Sequence, residues 1–342
     1  MLNEKQIEEL ARENLDNVIS MQMIEEVAQE IPELKDAELY KGKVRANFTS
    51  SLLKTDDGIP LRPTVTTDQI STHDKVRGLI PFKSQITNAI SNKMFELVKH
   101  AMKNAQLAIL GHFVVIYENC KPIDVEMVVR KYAAKSTTKT SLFHHYFNLG
   151  KREFCGHKLP GNLVPNGPLP YIMDTPSTKV REGEEGEEIS VSPEYLFKHG
   201  IVTPKQYAHL RNASIEIFGI GEAYLLPAGI ILVDTKFEMG INHKGELCLI
   251  DEVLTPDSSR YWIKSNYEEK MRKGLDPESY SKQFARDIGK PGEPYSDEDR
   301  FEIACRYIES YQKLAGEEFR PVTENARERI FRELRTGLDS LL

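Results

Sequence analysis

The chain has 342 residues, 40% hydrophobic and 28% charged, enough for a sizeable core built from packed subdomains. Its formal net charge of -7 excludes a surface made mainly for nucleic acid and restricts anion binding to local clefts. Cys120, Cys155, Cys248 and Cys305 are scattered without a C-x-x-C pair, the N-terminus lacks an apolar signal core, and no run approaches the roughly 20 apolar residues of a membrane span, so the expectation is a reduced, cytoplasmic protein with no membrane or nucleic-acid partner.

In chain order, Ile7, Leu10, Val18, Met21, Ile24, Val27 and Ile31 fall near helical spacing and predict one or two helices on the core. From Ala37 to Thr67 the pattern changes to short strands, with Asp57-Gly58 marking a hairpin. Ile86, Ile90, Met94 and Leu97 share one face of a helix starting near Ser84, and HFVVIYE and IDVEMVVR follow as apolar strands, the second ending in Arg130. Residues 131–200 are rich in polar residues, Gly and Pro, and read as long functional loops. Thr203-Pro204 opens a helix through about Glu216. A hairpin follows, GIILVDTKFEMG and LCLIDEVL joined by INHKGE, and the rest is helical, with Ser296 as a cap and a last amphipathic helix near 324–338. The units expected are 1–35, 36–120, 121–290 and 291–342.

The hairpin carries the chemistry. Period two puts Asp234, Lys236 and Glu238 on one face, and the returning strand brings Asp251 beside them if the register agrees. Carboxylates at strand ends with a lysine nearby suit magnesium and polyphosphate, since Mg²⁺ takes one or two protein carboxylates and fills its shell with water and phosphate oxygens. An exposed ladder of ion pairs has the same spacing. The following turn concentrates Thr255, Asp257, Ser258, Ser259 and Arg260, groups that grip phosphate or carboxylate, whereas Glu252 is expected on the face opposite Asp251 as mere support. KGKVR at 41–45 places a glycine between basic residues, with Lys43 and Arg45 facing one side, and VEMVVRKYAAKSTTKTS releases Arg130 into a Ser, Thr and Lys cluster.

In this order GKVR at 42, TTDQIS at 66, VEMVVR at 125, TPSTK at 175, GIILVDTKFEMG at 229, LIDEVLTPDSSRYW at 249 and SKQFARD at 281 resemble the SAICAR synthetases, the phosphoribosylaminoimidazole-succinocarboxamide synthases of purine biosynthesis. The resemblance runs from about residue 36 to 290. It implies an α+β fold: an N-terminal antiparallel sheet lobe that binds ATP, a larger ATP-grasp-like α/β lobe that binds substrate, and peripheral helices. It also implies ATP-dependent ligation of carboxyaminoimidazole ribonucleotide (CAIR) to L-aspartate through an acyl phosphate, with ATP and Mg²⁺; a homo-oligomer is compatible with it.

By match to the family's motifs, Lys43 and Arg45 would lie over the ATP phosphates, Glu238 and Asp251 would hold magnesium, and Lys236 would serve the transferred phosphoryl group. Arg130, Ser136 and Arg260 would bind the ribonucleotide, with Asp257 and Ser259 shaping that pocket and Asp68 and Ser71 in a substrate-site loop. Lys179, Lys282 and Arg286 are further candidates for anionic substrates.

The chain departs from the family's usual wording at Lys135, Gln69, His73 and Glu185-Gly186, and IPFKSQ lacks glycines usual in that loop. These departures keep two rivals in view: a ligase for a different carboxylated nucleotide, and a nucleotide-binding regulator without turnover.

Overall fold

The structure is a computed structural model that describes residues 1–72, 75–180, 187–290 and 292–342, so His73 and Glu185-Gly186 lie outside the described residues. Helix α1 (Glu4–Glu13) starts in an Asn3–Gln6 capping box, α2 (Met21–Ala28) is capped by Ser20, and α3 (Pro32–Lys35) is one turn. Strands β1 (Glu38–Lys41) and β2 (Arg45–Thr49) form a hairpin closed by Gly42 N donating to Arg45 O over 2.8 Å. Strand β3 (Leu61–Thr66) returns after the expected turn, where Gly58 adopts φ 82°. Strands β4 (Gln69–Thr72) and β5 (Lys75–Leu79) pair as a separate ribbon and lead to α4 (Lys83–Val98), whose N-cap Phe82 takes φ 64°. Strands β6 (Gln106–Ile109) and β7 (Val114–Glu118) complete a five-stranded sheet in the order β1-β2-β3-β7-β6.

The second sheet begins with β8 (Lys121–Tyr132). The presumed loop region contains a two-residue pair, β9 (Glu153–Phe154) with β10 (His157–Lys158), then β11 (Pro168–Asp174) and β12 (Ser177–Thr178), both of which pair antiparallel with β8. Prolines 168 and 170 are tolerated because β11 is an edge strand. Helix α5 (Pro193–Lys198) precedes α6 (Pro204–Leu225), which starts at the expected Thr203 cap but runs nine residues past Glu216. Its Gly221 is no stop signal: a Cβ there would meet Leu254 Cδ1 at 2.6 Å, so the glycine permits close packing on the turn after the hairpin. Strands β13 (Ile230–Ile241), β14 (Leu247–Ile250) and β15 (Ser259–Ile263) complete the sheet, with β13 between β8 and β14. All its named strand pairs are antiparallel, so the larger lobe is an antiparallel sheet backed by helices, in keeping with the expected α+β fold.

Helices α7 (Lys264–Arg272), α8 (Gln283–Asp287), α9 (Asp297–Ala315) and α10 (Ala326–Leu341) follow, α9 opening in a Ser296–Asp299 capping box. The terminal helices are built into the two cores. Helices α1, α4, α6 and α9 share the larger core with the inner face of the second sheet, through Ile7, Ile86, Ile217, Phe237 and Ile308. Helices α2 and α10 cover the first sheet, packing Ile24, Ile330 and Leu334 onto Phe48, Val65 and Val114. The sheets meet where Leu249 N donates to Lys103 O and Ala105 N to Leu249 O, at 2.8 and 3.0 Å.

Candidate active site

Strand register assembles one polar face on the second sheet. Asp234, Lys236 and Glu238 of β13 lie opposite Arg130, Val128 and Glu126 of β8, while the alternate residues, Thr235, Phe237, Met127 and Val129, are buried on the other side. Lys236 Nζ donates to Glu126 Oε1 at 2.7 Å and to Glu238 Oε1 at 3.3 Å, and Lys179, just past β12, pairs with the other oxygen of Glu238. Burial pushes the Lys236 ammonium down, but Glu238 and Glu126 outweigh it and hold its pKa well above the ordinary lysine value.

Next to this group the two lobes touch. Ile250 closes β14 opposite Glu238, so strict alternation would turn Asp251 toward the side of Phe237. Asp251 instead takes φ 66°, breaking the alternation, and both Asp251 and Glu252 reach the buried guanidinium of Arg45 from β2, the latter at 2.9 Å. Thr255 Oγ1 donates to the same Glu252 oxygen at 2.8 Å. Glu252 is therefore not on the face away from Asp251; it is half of the clasp on Arg45.

At the far end of the polar face Asp234 is shared by two arginines. Arg260 Nε donates to Asp234 Oδ1 at 2.8 Å, and Arg260 Nη2 and Arg130 Nη1 both reach Oδ2. Burial pushes the Asp234 carboxyl up, yet Arg260 and Arg130 hold it below the usual range. Asp234 thus belongs with the two arginines and not with the acids beside Lys236. Arg260 Nη1 also donates to Lys135 O at 2.9 Å, while the Lys135 ammonium turns away to Asp276 at 2.7 Å. Ser136 lies on the same loop and accepts from Thr138 N.

Three residues expected to meet substrate make close contacts within the protein. The Asp68 carboxylate is buried and accepts Ile19 N at 2.7 Å and Ser84 N at 2.8 Å, tying the N-terminal segment to the start of α4; burial pushes its carboxyl up. Asp257 is buried among Lys83 Nζ at 2.8 Å, Lys282 Nζ at 3.6 Å and Tyr307 Oη, which donates at 2.6 Å from α9. Ser259 donates to Thr235 Oγ1 at 2.8 Å, bracing β15 on β13. Ser71 is buried in β4. Arg45 itself, expected over phosphates, is largely sequestered by the two acids. Gln69 supports the GKVR turn, its Nε2 donating to Lys43 O at 3.1 Å.

Lys43 is exposed at that turn, and Glu188 feels Glu126, Lys236, Lys43 and Lys179 together, which places the described end of the acidic segment by the same face. Lys282 and Arg286 lie on and beside α8. Glu126, Lys83 and Tyr307 were not singled out from sequence. Only Glu126 had a local signal, since it falls two and four residues from Val128 and Arg130 on one strand face. A concavity of about 750 Å³ opens elsewhere, between Lys103, Thr203 and Leu247, and contains none of these site residues.

The two antiparallel sheets with their covering helices place the chain in the class of ATP-dependent ligases with the SAICAR synthetase fold. The SAICAR synthetase family model matches residues 38–300. The chloroplastic phosphoribosylaminoimidazole-succinocarboxamide synthase of Arabidopsis thaliana is 36% identical over 91% of this chain and 74% of its own. The Bacteroides thetaiotaomicron synthase is also 36% identical, over 85% of this chain and 92% of its own. Among solved structures, the SAICAR synthase of Saccharomyces cerevisiae complexed with SAICAR is 27% identical, with a TM-score of 0.67 over 83% of this chain and 97% of that one. The chain belongs to the SAICAR synthetase family. It is an ATP-dependent carbon–nitrogen ligase of purine biosynthesis. Among the described residues no helix is long and apolar enough to cross a membrane.

Proposed function

We propose that the polar face of the second sheet carries both half-reactions of CAIR–aspartate ligation, with ATP at the lobe junction and the ribonucleotide at the Arg130–Arg260 end. The observation that carries this reading is the register of β13, which spaces Asp234, Lys236 and Glu238 along one line between the two ends. The CAIR carboxylate oxygen attacks the γ-phosphorus of ATP, ADP leaves, and an acyl phosphate forms. The amine of L-aspartate then attacks the acyl carbon, the carbon–oxygen bond to phosphate breaks, and the amine gives up a proton as the amide forms. Positioning and charge neutralisation dominate such chemistry, so no covalent nucleophile is required of the protein.

In this reading Lys43 meets the ATP phosphates and Lys236 neutralises the moving phosphoryl group, for which its raised pKa suits it. Arg45 acts with them by orienting Asp251 and Glu252. Among the described residues no three His, Cys, Asp or Glu side chains gather into a self-sufficient metal cage. Glu238 and Asp251 fit magnesium as a two-carboxylate partner that leaves the remaining positions to phosphate oxygens and water. Bound there, Mg²⁺ would supply charge neutralisation to the polyphosphate. Lys179 and Arg45, now on those carboxylates, are placed to exchange toward phosphate oxygens. Arg130, Arg260 and Ser136 bind the ribonucleotide phosphate, and Lys282 and Arg286 serve anionic substrates. Four unpaired cysteines support a reduced, cytoplasmic setting.

The test is ADP release with CAIR and L-aspartate, supplied singly and together. Release stimulated by both supports the ligase; ATP binding without stimulated release would favour the regulatory reading prompted by Gln69 and Lys135.

A further inference from the structure

Arg260 is held by three hydrogen bonds. Nε and Nη2 donate to Asp234 and Nη1 donates to Lys135 O at 2.9 Å, so that among the described residues one N–H on each Nη is left for an anion. Asp234 fixes the plane of the fork, and the Lys135 carbonyl stops it from swinging about that ion pair. Arg130 takes its further bond from a side chain, Nε donating to Thr175 Oγ1 at 3.0 Å. Arg260 depends instead on a loop carbonyl, and its aim is only as firm as that loop.

The loop is fixed by Asn166, between β10 and β11. Asn166 is buried, and its left-handed backbone at φ 58° turns its polar groups onto neighbouring segments. Oδ1 accepts Lys135 N at 2.8 Å, Nδ2 donates to Asp276 Oδ1 at 2.8 Å, the backbone N–H donates to Ala133 O at 2.9 Å, and the backbone carbonyl accepts the Tyr267 hydroxyl at 2.9 Å. Asp276, between α7 and α8, takes the Lys135 ammonium on the same oxygen at 2.7 Å. Lys135, Asn166 and Asp276 thus close a ring: backbone amide to side-chain carbonyl, side-chain amide to carboxylate, carboxylate to ammonium. The Lys135 cation is neutralised inside this ring and adds no free charge to the arginine end. Tyr267 also stacks on Trp262 of β15, the strand that carries Arg260.

Resting on the reading of Arg260 as a ligand of the ribonucleotide phosphate, we infer that Asn166 is a positioning residue for ribonucleotide binding: with Asp276 it holds the Lys135 carbonyl in place, and that carbonyl aims the free N–H groups of Arg260. The ring acts through Arg260 and touches no substrate itself. Asn166 is 4% exposed, whereas the side chains of Lys135 and Asp276 are 45% and 61% exposed. Asn166 therefore carries most of the effect, and the outer ion pair, screened by solvent, adds little.

The experiment measures initial rates against CAIR, ATP and L-aspartate for Asn166→Gly, Asp276→Ala, Lys135→Met and Lys135→Arg. Glycine keeps the left-handed backbone and removes only the side chain. Asn166→Gly should raise the CAIR KM about five- to tenfold, while the ATP and aspartate KM values change less than about twofold. Asp276→Ala and Lys135→Met should each raise the CAIR KM about two- to threefold, and Lys135→Arg, which still reaches Asp276, should stay closer to wild type. Repeated in an Arg260→Ala background, Asn166→Gly should add less than about twofold to the CAIR KM, because the group it aims is gone. An unchanged CAIR KM in Asn166→Gly, equal rises in all three KM values, or full additivity with Arg260→Ala would overturn the inference. Asp276 is exposed, so Asp276→Ala in the same two backgrounds carries the test if Asn166→Gly misfolds. An unchanged CAIR KM in Arg260→Ala alone reports separately: it removes the phosphate reading, and the role of Asn166 with it.

Discussion

Arg45 Nη2 lies 2.9 Å from Glu252 Oε2, joining β2 of the first lobe to the turn after β14 in the second. That contact and its neighbour on Asp251 place a buried guanidinium at the seam between the two lobes. Arg45→Met leaves two half-buried carboxylates side by side without their cation, so the ATP KM should rise about tenfold or more while the CAIR KM moves little. Arg45→Lys should recover only part of the loss, because one ammonium cannot fork to both acids. Equal rises in both KM values would place Arg45 outside nucleotide recognition.

Glu238→Gln and Asp251→Asn keep size and remove charge. Each should lower turnover by about a hundredfold or more and raise the magnesium concentration needed for half-maximal rate. Normal turnover and an unchanged magnesium requirement in both variants would remove the metal assignment.

Asp234 is the common support of Arg130 and Arg260, so Asp234→Asn should resemble Arg260→Ala in raising the CAIR KM. The two changes combined should do little more than either alone, since groups sharing one network are not additive. Fully additive effects in steady-state kinetics would show that the three residues act separately.

Asp257 links stability to pH. Burial pushes its carboxyl up, but Lys282, Lys83 and the hydrogen bonds from Lys83 and Tyr307 hold it well below the ordinary value. A depressed folded-state pKa gives stability that is present above the unfolded value of about 3.9 and lost as pH falls toward the folded value. Asp257→Asn, which strands two buried lysines, should cost about 3 to 5 kcal/mol in urea unfolding at pH 7. The gap from wild type should narrow below about pH 4; a gap of constant size down to pH 3 would contradict this account.

Gly240 tests the packing behind the hairpin. A Cβ there would meet Lys121 O at 3.0 Å and Cys120 Cβ at 3.1 Å, backbone and short side chain with little room to yield. Gly240→Ala should destabilise the fold by about 1 to 3 kcal/mol, seen as a lower urea midpoint with an unchanged slope.

Much of the site was legible because it rests on local periodicity. The period-two run Asp234, Lys236, Glu238 forecast its own face, and the break at Pro256 forecast the turn that presents Arg260. Features that depend on long-range partners or unusual backbone were not legible. The left-handed conformation at Asp251 reversed the side expected for Glu252. Asp68 has the look of a site residue, but two backbone amides far away in sequence consume its carboxylate. Asp257 meets Tyr307 only through a helix that sequence reading placed at the periphery, and the run of α6 past Glu216 goes with the close approach of Gly221 to Leu254.

The central claim, that one polar face runs a three-substrate ligation, is tested most directly by following the γ-phosphate of ATP with CAIR labelled with ¹⁸O in its carboxylate. Transfer of the label to inorganic phosphate, with SAICAR formed only when L-aspartate is present, is the predicted result. Phosphate free of label, or turnover with a different carboxylated nucleotide and none with CAIR, would contradict the account.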